Sequence, residues 1–129
     1  MKAIEIVAGV IRDAGGRVLT VRKRGTSAFM LPGGKREAGE SDITALSREL
    51  GEEIGCDLIT ADHLGTFDAP AANEPETRVY GSIYLAVVAG EAVAKAEIEE
   101  LLWIDPKSPP SVRLAPLLER QVLPRLTAA

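Results

Sequence analysis

The stretch from Gly34 to Cys56 reads GKREAGESDITALSRELGEEIGC, and it constrains the fold more than any other part of the chain. It joins a glycine turn, a lone Glu40, and a helical pattern that ends in Arg48, Glu49, Glu52 and Glu53 and closes at Gly55. An α-helix turns about 100° per residue, so positions i, i+3 and i+4 share a face. With Glu49 at zero, Glu52 falls about 60° to one side and Glu53 about 40° to the other. Ile43, Leu46, Leu50 and Ile54 form a neighbouring stripe that should face a core. Ser41 suits the N-cap, Asp42 the positive end of the helix dipole, and Gly55 the position just past the C-terminus. The pattern predicts a helix over 42–54.

Acids this crowded on a helix repel one another. Hard cations such as Mg²⁺ take carboxylate oxygens, keep several waters and share phosphate oxygens with a substrate. Taken alone, Glu49, Glu52 and Glu53 fit a solvated acidic face partnered by Arg48 even better. The glycine loop beside them shifts the balance towards a site that holds divalent cations against a diphosphate.

As a whole the segment resembles the Nudix box, Gly-x5-Glu-x7-Arg-Glu-U-x-Glu-Glu-x-Gly-U, where U is bulky and apolar. Gly34, Glu40, Arg48, Glu49, Glu52, Glu53 and Gly55 fill the fixed positions. Leu50 fills the first apolar slot and Cys56 the second, where an aliphatic side chain is more usual. A free cysteine behaves as a small hydrophobe, so the departure is mild. At ordinary residue usage, seven such matches arise by chance on the order of 10⁻⁹ times per start position. The opening AIEIVAGVIRDAGGRVLTVRKRG looks like the first hairpin of small, MutT-like Nudix proteins, and Leu-Pro-Gly-Gly leads into the box. Further on, AEIEELLWID resembles a later strand of that group.

The resemblance implies one α+β domain over 1–129, the Nudix fold, with a mixed β-sheet between helices. It implies hydrolysis of a phosphoanhydride bond in a nucleoside diphosphate linked to a further group, with Mg²⁺ as cofactor and Mn²⁺ as an alternative. Carried over by position, Glu49, Glu52 and Glu53 are metal ligands, joined by the Gly34 carbonyl. Glu53 or Glu49 would take a proton from the attacking water. Arg48 and Glu40 read as an ion pair that orients the loop and helix, and Gly55 as a structural stop. In MutT-like members a further acid, from a loop before a later strand, approaches the metals. By its distance to Trp103, Glu97 matches best, with Glu99 and Glu100 competing. Small MutT-like chains favour a nucleoside triphosphate, giving a monophosphate and pyrophosphate. ADP-ribose and nucleotide sugars stay open as substrates, as does a non-catalytic nucleotide-binding domain. An isomerase on a related fold is disfavoured, because the only cysteine sits at an apolar box position.

Basic groups cluster before the box at Arg22, Lys23 and Arg24 and inside it at Lys35 and Arg36. Arg24 and Lys35 are the candidates for contact with a small anion. Phe29, just before the box, is the candidate for a nucleobase. For each of the five aromatics, Phe29, Phe67, Tyr80, Tyr84 and Trp103, a core role is the commoner one. His63 has no partner in the sequence, and nothing marks Cys56 as a nucleophile.

The remaining sequence agrees with a soluble enzyme of a small molecule. Apolar residues make up 46% and charged residues 26%, within the ordinary globular range. A net charge of −4 disfavours a polymeric nucleic acid as partner. One cysteine allows no internal disulfide, which fits a reducing cytoplasm. No apolar run is long enough for a membrane span, and no signal-peptide pattern opens the chain. A homodimer is compatible with the sequence, which shows no interface pattern. With one His, one Cys and no Gly-x4-Gly-Lys-Ser/Thr, zinc centres, Ser-His-Asp triads and P-loops have no support. Punctuation and β-branched content predict strands over 4–11, 17–22, within 57–66, over 79–88 and over 101–104, a loop over 69–76, and a second helix over 114–123 with Pro116 in its first turn.

Overall fold

Alternation along the strands sends side chains to two opposed apolar layers. The computed structural model describes residues 1–127. Its main sheet has the order β3-β1-β5-β4, from β1 (Lys2–Val10), β3 (Gly33–Gly34), β4 (Asp57–Pro70) and β5 (Thr77–Ala89). β1 lies parallel to β5, while the β1–β3 and β4–β5 pairs are antiparallel, so the sheet is mixed. β2 (Val18–Lys23) and β6 (Ile98–Ile104) form a second, two-stranded antiparallel sheet. On β1, Ile6, Ala8 and Val10 face one layer and Val7 faces the other. The first layer lies under the C-terminal helix, through Leu117, Leu118 and Val122. The second lies under α1 (Asp42–Ile54), through Ala45, Leu46, Leu50 and Ile54. The mixed sheet therefore sits between helices, as the resemblance implied.

α1 has the bounds that its caps predict. Ser41 accepts a hydrogen bond from the Thr44 N–H, and Gly55 takes a left-handed φ of 69°. One member of the predicted stripe is corrected. Ile43 lies in the first turn, ahead of the buried run that begins at Ala45, and is 45% exposed. Glu53 joins the buried face instead.

The strands run longer than their apolar cores suggested. β4 continues through Ala69 to Pro70, which an edge strand tolerates because its outward N–H is not needed. The C-terminal helix is displaced from the predicted 114–123. Pro116 occupies its N-cap, Leu117–Val122 is π-helical, and Leu123–Thr127 (α2) is α-helical. Pro124 has no N–H and its ring would crowd the carbonyl four residues back. The Leu123 N–H bonds the Leu118 carbonyl, and this wider turn lets the chain pass the proline. Among the described residues, no helix is long and apolar enough to cross a membrane.

Candidate active site

Two glycines let α1 lie against the end of the sheet. Gly33 and Gly34 pair with Ala8 and Val7 of β1. A Cβ on Gly33 would lie 2.2 Å from the Val7 carbonyl oxygen, so no side chain fits there. A Cβ on Gly34 would lie 2.6 Å from the Glu49 carboxyl group. The glycine pair thus brings backbone within reach of the acidic face of α1.

The three acids differ in setting. Glu53 is 2% exposed, and its Oε1 accepts a hydrogen bond of 2.9 Å from the Gly33 N–H. Burial pushes its pKa up to about 7; the Gly33 bond opposes the rise and the Glu49 charge adds to it. Burial also raises Glu49, against the pull of Arg48. Glu52 is exposed.

Arg48 ties this face to the preceding loop. Its Nε and Nη2 each donate to a different oxygen of Glu40 at 2.8 Å, a bidentate pair. Nη1 donates to Glu49 Oε1 at 3.0 Å, and Nη2 also reaches the Lys35 carbonyl at 3.1 Å. The Arg48 fork holds the Glu40 carboxyl down at about 2, helped by the Glu37 N–H. Arg48 and Glu40 therefore form the ion pair that the box pattern suggested.

Among the described residues, no three His, Cys, Asp or Glu side chains converge into a metal cage. Mg²⁺ rarely uses such a cage; it binds through one or two carboxylates together with substrate phosphates. The donors here are all oxygen, and the Gly34 backbone leaves room for the Glu49 carboxyl group. The site fits a hard divalent cation that arrives with a phosphorylated ligand.

A cleft of about 370 Å³ opens beside these groups, lined by Gly33, Gly34, Glu49, Lys23, Lys35 and Glu97 among others. It adjoins an apolar cavity of about 120 Å³ between Ile6, Met30, Leu31, Val79, Leu117 and Leu118. Lys23 Nζ lies 3.4 Å from Glu97 Oε1 at the cleft. Glu99 and Glu100 instead pair with Arg24 and Arg22.

Two sequence candidates lie elsewhere. Phe29 is 5% exposed, belongs to the core beneath the C-terminal helix, and packs under the Arg22 guanidinium, so it presents no face to a nucleobase at the cleft. Arg24 is exposed and bonds Glu99 and the Ala96 carbonyl, outside the cleft. Lys35 does line the cleft. Within the basic cluster Arg22, Lys23 and Arg24, it is Lys23 and not Arg24 that lines the cleft, because strand alternation aims it inward. The apolar floor was missed because four distant segments build it. Cys56 is buried, and burial raises its thiol pKa. His63 is exposed and meets the edge of Tyr84.

The metal-free protein should lose stability as pH rises. Glu53 binds its proton more tightly folded than unfolded, with pKa values of about 7 against 4.5. Its contribution is complete below pH 4.5 and is lost as pH climbs to 7, at most about 3 kcal/mol. Glu40 has the opposite sign, and its contribution disappears only as pH falls from 4.5 towards 2. Melting in a chelator should give a Tm on the order of 10 °C higher at pH 5 than at pH 8. An equal Tm at both would contradict a buried Glu53 carboxyl group.

The NUDIX domain profile matches residues 3–126. An 8-oxo-dGTP diphosphatase of Haemophilus influenzae is 43% identical over 65 residues, which cover 47% of this chain and 48% of that protein. An 8-oxo-dGTP diphosphatase of Escherichia coli is 34% identical over 84 residues, covering 61% and 62%. The chain thus spans between about half and three-fifths of these relatives. The crystal structure of a MutT NUDIX hydrolase from Burkholderia pseudomallei superposes with a TM-score of 0.82 at 25% identity, covering 98% of this chain and all of the other.

Proposed function

We infer the function from one premise: this chain belongs to the NUDIX domain family, as a MutT-like member. We propose that it hydrolyses a nucleoside triphosphate to a nucleoside monophosphate and pyrophosphate. The observation that carries this reading is the pairing of two compartments. An oxygen-rich end, with Glu49 and Glu53 against Gly33–Gly34, opens beside an apolar cavity. A diphosphate and a nucleobase need those two environments side by side.

Each residue then has a distinct task. Glu49, Glu53, the Gly34 carbonyl and the outer Glu52 would hold Mg²⁺, or Mn²⁺ in its place. Such an ion, when bound, neutralises phosphate oxygens and acidifies the attacking water. Glu53 would receive the proton of that water, as the most buried of the three acids and the one held in place by a backbone N–H. The Gly33 N–H fixes the orientation of its carboxyl group. Lys23 and Lys35 supply positive charge to the phosphates from the cleft wall. Arg48 positions Glu49 and the Lys35 loop and touches no substrate.

Glu97 faces the cleft and is paired with Lys23. Glu97→Gln should lower kcat by about tenfold or less, well short of the loss from Glu53→Gln. A larger loss in Glu97→Gln would move the base to Glu97. The substrate class follows from a hydrolysis screen with Mg²⁺ over standard and 8-oxo nucleoside triphosphates, ADP-ribose and nucleotide sugars. Turnover of triphosphates supports the proposal. Turnover of ADP-ribose or a nucleotide sugar alone replaces its substrate, and nucleotide binding without turnover replaces it with a binding domain.

A further inference from the structure

The tip of the loop between β4 and β5 hangs on one side chain. Outside the strand ladders and among the described residues, residues 72–74 make one hydrogen bond to the rest of the chain, and Arg113 provides it. Arg113 Nη2 donates to the Ala72 carbonyl at 2.6 Å, while its Nη1 donates to Ser27 Oγ at 2.9 Å. The Arg113 backbone is itself anchored, because its carbonyl accepts the Phe29 N–H at 2.9 Å. The two ends of the loop are secured separately. The Ala71 N–H bonds the Thr77 carbonyl, and the Lys2 N–H bonds the Glu76 carbonyl, both at 2.9 Å. A rigid guanidinium fork can bridge two loops at once, which a lysine does less well.

The tip carries what the rest of the cleft lacks. Among the residues lining the cleft and its apolar cavity, Asn73 alone has an uncharged hydrogen-bonding side chain. The floor is aliphatic and discriminates by size and shape only. Lys23, Lys35, Glu49 and Glu97 belong to the charged end, and Glu74, beside Asn73 on the tip, offers acceptors but no donor. A carboxamide offers a donor and an acceptor together, which is the pattern on the edge of a base.

We propose that Asn73 selects the nucleobase and that Arg113 is the positioning residue that holds Asn73 at the cleft. The inference rests on the nucleotide substrate argued above. Steady-state kinetics on the four standard nucleoside triphosphates test it, with Asn73→Ala, Arg113→Ala, Arg113→Lys and the double alanine variant. In Asn73→Ala, kcat/KM for the preferred nucleotide falls about tenfold through KM, while the poorest substrate changes by less than about twofold. Arg113→Ala narrows the preference in the same way at unchanged kcat, and Arg113→Lys restores part of it. The double variant is no worse than either single variant, because both remove one interaction. Backbone NMR order parameters of residues 72–74 in the ligand-free protein fall in Arg113→Ala and stay unchanged in Asn73→Ala.

An unaltered preference in either alanine variant, additive losses in the double variant, or four equal substrates in the wild type would overturn the proposal. Unchanged order parameters in Arg113→Ala would also overturn it. A wild-type protein that hydrolyses no nucleotide removes the function on which it rests. The order-parameter measurement needs no substrate, and decides in that case whether Arg113 holds the tip.

Discussion

Glu53→Gln should lower kcat by about 10²–10⁴ while leaving the fold intact. Glu53 is the most buried of the three acids and the one whose carboxyl group is held by a backbone N–H. Glutamine keeps an oxygen acceptor for Gly33 at nearly the same volume. It cannot take a proton from water, and it offers a cation no charge. The stability expectation runs the other way. At pH 8 the wild-type side chain is a buried carboxylate, whereas the amide is neutral. In a chelator at pH 8, the variant should therefore melt at or above the wild type. Loss of turnover without loss of Tm separates a chemical role from a structural one. A variant retaining more than about a tenth of wild-type kcat would remove Glu53 as the base.

The two glycines of β3 should fail in different ways. Gly33→Ala should destabilise the fold by about 3 kcal/mol or more. Its Cβ would sit 2.2 Å from the Val7 carbonyl oxygen and 2.6 Å from the Ala8 Cα. Both are backbone atoms of a paired strand, and neither can move without breaking the β1–β3 pairing. The φ of +154° adds strain for a residue with a side chain. In Gly34→Ala, the atoms in the way are the Glu49 carboxyl group, the far end of a flexible side chain. Glu49 swings away, so stability changes little while activity falls. Denaturant unfolding and kcat/KM measured on both variants check this. A Gly33→Ala protein as stable as the wild type would contradict the close approach of β3 to β1.

What could be read in the sequence was local. α1, its serine cap and its glycine stop depend on contacts within five residues, and the chain shows them directly. The Arg48–Glu40 pair spans a separation of 8 and was legible through the box pattern instead. Non-local features were hidden. β3 is two glycines, with no β propensity of their own, made into a strand by β1. Phe29 stands beside the box in sequence, yet its bridge to Leu114 draws it into the core. Ile43 has the angle of a core residue but lies in a turn that reaches past the packed layer. The C-terminal helix runs past the predicted end because a wider turn ahead of Pro124 accommodates the proline, which no local pattern marks. Lys23, Asn73 and Arg113 come to the cleft and its wall from three separate segments. No spacing rule links them.

The central claim is that the acidic face of α1 and the glycine strand together break a phosphoanhydride bond. Product analysis with a nucleoside triphosphate tests it most directly, in Mg²⁺, in a chelator, and with Glu53→Gln. Nucleoside monophosphate and pyrophosphate should appear in equal amounts, with Mg²⁺ only, and not in the variant. Release of nucleoside diphosphate and orthophosphate, or equal turnover in the chelator, would contradict the account.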